Sequence, residues 1–570
     1  MTDATRRAVL SAVGGLVGAG SATGLPAGST PNASRSPTAA GLPPRDELEA
    51  FVDERMEARI GEVTPGLTVA VVEGDDVVLA KGYGHADTTS GRPVRANETA
   101  FQVGSVSKLV TWTAVMQGVE DGVLELDADV DAYLGDSRVT IPDTYEAPVT
   151  LGALGTHTAG FESRLPAAFE DPADLTSIET ALVERRPDRV RPPGEAVEYS
   201  NWGAMLAGHV VAEAHDTTFE EYVRTEVFEP LGMEHSTFRQ PVPTSHPGER
   251  ARPHERREDG FAPTASTWIN ARPAGSMSAT ARDMAAFMRA HLNDGAVDDA
   301  RILEAGTVDT MHRRHHVRHP AVNNWRYGFY EHGPVGAGAI GHSGSTGSFE
   351  SQLVLVPGQD VGVFVGYNAA PSGGVVAGDV DRILREYDLL PGTPPPTPAT
   401  ASGRRRRAEA VAAEYAATAF SYDDGPERAL GLLSRVTVDA VGDGRLATRT
   451  LTGSGIGGSE WVETDPYVYR EVDGDDVLAF DVADGSVGRM YVSSVPQTAY
   501  EPVPLADRSP VTGGVVAGAT GGFLLSLLGW AGATAWRGRE RLHGDQAGDR
   551  ESRSNDAAGE PPVDEEVTVE

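Results

Sequence analysis

Apolar and polar positions change rhythm several times along the chain. The stretch "GLTVAVVEGDDVVLAKGYG" (66–84) holds two apolar runs around a Gly-Asp-Asp turn, which predicts a hairpin. "SFESQLVLVPGQDVGVFVGYN" (348–368) repeats the pattern around Pro-Gly. Between them the period lengthens. "SKLVTWTAVMQGVEDG" (107–122) reads as a helix ending near Gly118–Gly122. "TARDMAAFMRAHLNDG" (280–295) carries Thr280 and Asp283 at capping-box spacing, then an apolar-periodic run stopped by Gly295. A further helix is predicted at "RDELEAFVDERMEARI" (45–60). Hairpins at both ends of a block with helices between predict an α+β fold whose terminal strands join one antiparallel sheet flanked by helices.

Farther on, "RVTVDAVGDGRLATRTL" and "YVYREVDGDDVLAFDVADGSVGRMYV" alternate apolar and polar residues, with Asp-Gly turns between. That predicts a small antiparallel sheet or barrel. It carries no evident catalytic constellation, so a spacer or packing role is expected. Two segments rich in Pro, Ser, Ala and Gly frame the first block: "GLPAGSTPNASRSPTAAGLPP" (24–44) and "PGTPPPTPATASG" (391–403), the second followed by four arginines at 404–407. The expected organisation is an export segment and tether over 1–44 and a main domain over 45–390. A Pro-rich and Arg-rich linker over 391–407 and a β domain over 408–508 follow.

The ends add a location. Arg6 and Arg7 precede a Gly/Ala-rich, weakly apolar stretch, as in a twin-arginine export signal. Val511–Trp536 contains no charged residue in 26 positions, enough for a transmembrane helix, and Arg537, Arg539 and Arg541 follow it. The expected topology is a body outside the cell membrane, one membrane anchor and a short acidic cytoplasmic tail over 537–570.

Acids outnumber bases 83 to 48, for a formal charge of −35, which argues against nucleic acid or anionic lipid as partner. The acids are dispersed and the hydrophobic content is 40%, a pattern that fits a halophilic surface better than a disordered acidic chain. There is no cysteine, which excludes disulfides, thiol catalysis and cysteine-held metal. The run "MHRRHHVRH" (311–319) offers four histidines but no carboxylate, and its arginines repel cations. It reads as a surface loop, and no metal or other cofactor is expected. No pattern specifies an oligomeric state.

The chain has only two lysines, Lys81 and Lys108. Lys108 follows Ser105 at i+3, which places both on one face at the start of a helix. A serine hydroxyl needs a neighbouring base to act as nucleophile. A lysine can be that base when its ammonium is depressed; arginine cannot. In a chain that otherwise uses arginine, the pairing stands out. Tyr199, Ser200 and Asn201 form a turn before an apolar helix. A phenol near a lysine can exchange protons, and an asparagine can hold a substrate amide. His342, Ser343 and Gly344 open a strand, where glycine permits close approach to the backbone.

In this order, Ser105–Lys108, Tyr199–Asn201 and His342–Gly344 resemble the signature of the serine β-lactamase and penicillin-binding-protein superfamily. The tyrosine form resembles its class C β-lactamase, D-Ala-D-Ala carboxypeptidase and family VIII esterase branch. "TLGALGTHTAGF" around His157, "VFEPLGMEHSTF" and "RPAGSMSATARDMAAF" agree. The resemblance spans about residues 45–385. It implies a β-lactamase/transpeptidase-like fold and a serine acyl-enzyme. Ser105 would be the nucleophile, and Lys108 and Tyr199 would share the base role. Asn201 would orient the acyl side chain, and the N–H groups of Ser105 and Ser345 would form the oxyanion hole. His342, Gly344 and Ser345 would bind substrate. His342 departs from the lysine of many β-lactamases, and a mostly neutral imidazole binds a carboxylate weakly. The implied substrates are carboxylic esters, D-amino-acid amides or peptides, and β-lactams, in that order. An α/β-hydrolase is disfavoured because "GHSGS" (341–345) lacks the final glycine of the elbow and leads into a strand. The competing non-enzyme reading is a sensor of the same fold that binds ligand without turnover.

Overall fold

A computed structural model describes residues 41–371, 374–418, 431, 434–450 and 456–504. Residues 1–40 of the export and tether segment, Val511–Trp536 and the acidic tail lie outside these. Among the described residues no helix is long and apolar enough to cross a membrane.

Seven strands form the main sheet: β1 (Gly66–Glu73), β2 (Asp76–Asp87), β3 (Arg92–Pro93), β4 (Tyr330–His332), β5 (Ala339–Ser345), β6 (Glu350–Val356) and β7 (Val361–Tyr367). Their order is β4-β5-β6-β7-β1-β2-β3. Every pairing is antiparallel. The two hairpins expected from the sequence are joined edge to edge by β1 and β7, with Leu67 opposite Tyr367 and Val71 opposite Val363. Both faces of these central strands are covered, which is why they read as nearly continuous apolar runs. One face packs Val69, Val71 and Val363 with Leu48 and Val52 of α1 (Arg45–Glu57). The other sets Ala70, Val72 and Phe364 in the larger core with Trp112, Leu206 and Phe287.

That larger core is built around the longer helices α2 (Ser107–Glu120), α3 (Asn201–Ala214) and α4 (Ala281–Leu292), with several shorter ones beside them. α2 buries nearly all its circumference, Leu109, Val110, Trp112 and Val115 included. A helix apolar all round belongs inside a core rather than on its surface. Ser200 caps α3 by accepting from the Gly203 N–H at 3.0 Å. α5 (Val375–Glu386) closes the sheet's other face through Val380, Ile383 and Leu384.

At residues 404–407 the chain departs from expectation, while the β domain after them forms as expected. The four arginines do not sit in a linker but open α6 (Arg404–Val411), where Ala408 and Val411 are buried. Arg407 Nε donates to Glu463 Oε1 at 2.6 Å, and that carboxylate is fully inside. The alternating strands become a closed barrel: β8 (Ala413–Ala417), β9 (Val436–Val441), β10 (Arg445–Thr450), β11 (Glu460–Asp465), β12 (Val468–Glu471), β13 (Val477–Ala483), β14 (Ser486–Val492) and β15 (Tyr500–Pro502). Tyr415, Trp461, Tyr469, Phe480 and Met490 fill its interior. The histidine–arginine run is not simply a surface loop either. Arg318 is buried and donates to Val495, Thr498 and Val492 carbonyls of the barrel. Rather than standing off as a spacer, the barrel packs on the block that carries the three motifs.

Candidate active site

Ser105 sits in a turn of 3-10 helix (Gly104–Val106) that leads straight into α2. Gly104 has φ +51°, and a Cβ there would lie 2.5 Å from the Ser345 nitrogen. Glycine is therefore required both for the backbone angle and for the approach of the nucleophile turn to the end of β5. Gly344 is equally constrained: a Cβ would meet the Val103 carbonyl oxygen at 2.0 Å. These two glycines bring the Ser105 and Ser345 amides into one corner.

Lys108 is one turn along from Ser105 and has no exposed surface. Its Nζ donates to Ser105 Oγ at 3.0 Å, Asn201 Oδ1 at 2.8 Å and the Ala274 carbonyl at 2.6 Å. No carboxylate is among these partners. Burial therefore pushes the ammonium well below the ordinary lysine range. The second lysine shows the contrast. Lys81 bonds Glu49 and Asp53, and these partners raise its pKa despite an opposing burial effect.

Tyr199 packs its ring 4.8 Å from Lys108 Nζ, and its phenol lies near enough to Ser105 for the serine to pull its pKa down. Burial raises the phenol above its usual range, outweighing that pull. Burial thus holds the phenol in its protonated form and makes the lysine's proton easier to lose than that of an ordinary lysine. The arrangement gives Ser105 two proton partners of different character: a buried amine that can accept and a phenol that can relay.

His342 lies in the middle of β5, not at the opening of a strand as its sequence suggested; the strand runs from Ala339 to Ser345. The ring is 2% exposed and its Nδ1 is 2.6 Å from the Ser343 carbonyl. A carbonyl accepts, so Nδ1 carries the hydrogen and Nε2 presents a lone pair. Nε2 has no hydrogen-bond partner among the described residues. Burial, with repulsion from Lys108, drives this imidazole down to about 3, so the ring is neutral through the physiological range.

All seven residues expected from the sequence fall in this region. Ser105, Tyr199, Asn201, His342, Gly344 and Ser345 line one cleft of about 820 Å³, and Lys108 lies beneath it. Other contributors carry weaker sequence signals. His157, held at φ 57°, accepts from the Ser200 N–H at 3.2 Å through Nδ1 and packs at a tilt against Tyr199, ring centroids 4.6 Å apart. Trp325 packs 4.5 Å from His157 and 6.1 Å from both Tyr199 and His342. His157 lies in one of the accessory phrases of the sequence, whereas Trp325 has no motif around it. Among the described residues no group of His, Asp or Glu side chains could hold a metal ion.

Comparison with known proteins places this geometry in context. The Beta-lactamase family model matches residues 48–387, more than half of the chain. "Penicillin-binding protein 4" of Amycolatopsis lactamdurans is 31% identical over 331 residues, 55% of this chain and 83% of that protein. A "Beta-lactamase" of Yersinia enterocolitica is 30% identical over 230 residues, 40% of this chain and 55% of that one. Among solved structures, "Crystal structure of SurE" matches with a TM-score of 0.57 at 20% identity, covering 80% of this chain and 99% of that one. The structure of the octameric penicillin-binding protein homologue from Pyrococcus abyssi matches with a TM-score of 0.50 at 21% identity, with the same coverage. At such identities the structural matches speak for the fold alone.

Proposed function

Since the chain belongs to the Beta-lactamase family, we propose that it is a membrane-anchored, extracytoplasmic serine hydrolase acting through an acyl-enzyme on Ser105. The observation that carries this reading is the fully buried Lys108 Nζ, 3.0 Å from Ser105 Oγ and free of any carboxylate. The amine of Lys108 takes the Ser105 proton, directly or through the Tyr199 hydroxyl. Oγ bonds the substrate carbonyl carbon, and the N–H groups of Ser105 and Ser345 receive the oxyanion. Such a donor is worth about 3–4 kcal/mol in comparable hydrolases. The Lys108–Tyr199 pair returns the proton to the departing alcohol or amine. Water then attacks the ester on Ser105 by the same relay and frees the acid.

Carboxylic esters and D-amino-acid amides or peptides are the preferred substrates, ahead of β-lactams. A neutral His342 with a lone pair at Nε2 offers no cation to a substrate carboxylate. The paired arginines near the N-terminus and the uncharged Val511–Trp536 stretch support export and anchoring, and the dispersed acidic excess supports a halophilic setting. A fluorophosphonate probe, applied to the full chain at high salt together with an ester and D-peptide panel, tests the reading. Labelling of Ser105 with turnover supports it. Labelling without turnover of any ester or amide supports the sensor instead.

A further inference from the structure

The barrel reaches the catalytic residues through the loop between β14 and β15. The Tyr199 N–H donates to the Gln497 carbonyl at 3.1 Å. Trp325 Nε1 donates to the Pro496 carbonyl at 2.6 Å. The buried Arg318 guanidinium grips the loop at the Thr498 carbonyl, 2.9 Å away. With the Arg318 bond to the Val495 carbonyl at 3.2 Å, four anchors on seven residues hold the loop beside Tyr199.

So held, the loop sets Gln497 in the lining of the cleft that contains Ser105 and Asn201. Gln497 is 4% exposed, yet its Oε1 has no hydrogen-bond partner among the described residues. Asn323 lines the same cleft. Its Nδ2 is committed to the Gly333 carbonyl at 2.9 Å, which fixes the amide's orientation, and its buried Oδ1 likewise lacks a partner. His342 Nε2 is the third such acceptor. Folded proteins pair nearly all buried acceptors. Among the described residues four unpaired ones line one cleft, Glu471 Oε2 and these three neutral ones, and an N–H of a bound molecule would complete each of the three. The acidic excess of the chain explains none of them, because all three groups are neutral.

Building on the hydrolase reading, we propose that Gln497, supplied by the barrel, is a substrate-contacting specificity residue. With Asn323 it receives the N–H of a peptide-like acyl group, so that an N-acylamino ester or amide is preferred to a plain alkyl ester. The barrel is then a wall of the active site.

The test uses the full chain and two p-nitrophenyl esters with one leaving group, those of N-acetyl-D-alanine and of propionic acid. The wild type should favour the first by at least about 10-fold in kcat/KM, the scale of one or two net hydrogen bonds. Gln497→Met should lower kcat/KM for the N-acetyl-D-alanyl ester about 10-fold, mainly through KM. It should leave the propionyl ester within about twofold. Gln497→Glu, which keeps an acceptor oxygen, should lose less. Equal loss on both esters, or no loss on either, overturns the proposal. So does a wild type that turns the two esters over equally, whatever the variants do. Fluorophosphonate labelling separates the two levels. A labelled wild type without the ester preference removes this proposal alone. A wild type that neither labels nor turns over either ester removes the hydrolase reading and this one with it.

Discussion

Replacing Lys108 with arginine separates charge from basicity at the nucleophile. The lysine amine touches Ser105 Oγ, Asn201 Oδ1 and the Ala274 carbonyl at 2.6–3.0 Å. A guanidinium can still donate to such acceptors, but its pKa above about 12 leaves it unable to take a proton. Loss of a positioned general base costs about 10²–10⁴ in rate, or about 3–5 kcal/mol of barrier. The larger head enters a site with no exposed surface. Overpacking of this kind costs about 1–3 kcal/mol, a fall of several °C in Tm. Lys108→Arg should therefore remain folded while fluorophosphonate labelling and ester turnover fall at least about 100-fold. The assay is the labelling rate read beside the melting curve. A folded Lys108→Arg that labels within about 10-fold of wild type would refute the claim that a removable proton is what the site requires. Lys108→Met supplies an independent check on burial. A lysine whose folded pKa is depressed binds fewer protons in the native than in the unfolded state. Stability therefore rises with pH across the window between the folded value and the ordinary one. The stability of Lys108→Met relative to wild type should accordingly decline as pH is raised from neutral toward the usual lysine range.

Three further outcomes follow from the same geometry. Tyr199→Phe keeps the ring packing against His157 and Trp325 but removes the hydroxyl near Ser105, so turnover should fall about 10²-fold with little change in Tm. His342 is already neutral, so His342→Gln should leave the acidic limb of the pH–rate profile between pH 5 and 8 in place; a shift of that limb would show that His342 titrates there. Glu350 is raised to about 8 by burial, so the native state holds a proton that the unfolded chain releases above its ordinary range. Stability is lost as pH rises toward 8, and the Tm advantage of Glu350→Gln should be absent near pH 4 and grow to its plateau near pH 9.

The two hairpins were legible because their apolar runs are long and punctuated by Gly-Asp and Pro-Gly turns. Pairing of β1 with β7 was legible only as a consequence of architecture, since neither strand specifies its partner. The candidate pair Ser105–Lys108 was legible because nearly every other base in the chain is arginine, which gives the pairing unusual weight. Elements whose meaning depends on a distant partner were misread. The arginines at 404–407 look solvated until Glu463, buried in the barrel, appears opposite Arg407. Arg318 looks like one more basic residue in a histidine-rich loop until the barrel's carbonyls surround it. Gln497 has no motif at all, because what matters is its backbone carbonyl at Tyr199 and an amide lining a cleft formed by another part of the chain.

Tandem mass spectrometry of the fluorophosphonate-treated chain tests the central claim most directly. One phosphonyl adduct is expected, on the peptide bearing Ser105, and it should be abolished in Ser105→Ala. An intact, folded chain with no adduct, or with the adduct on another serine such as Ser343, would contradict it.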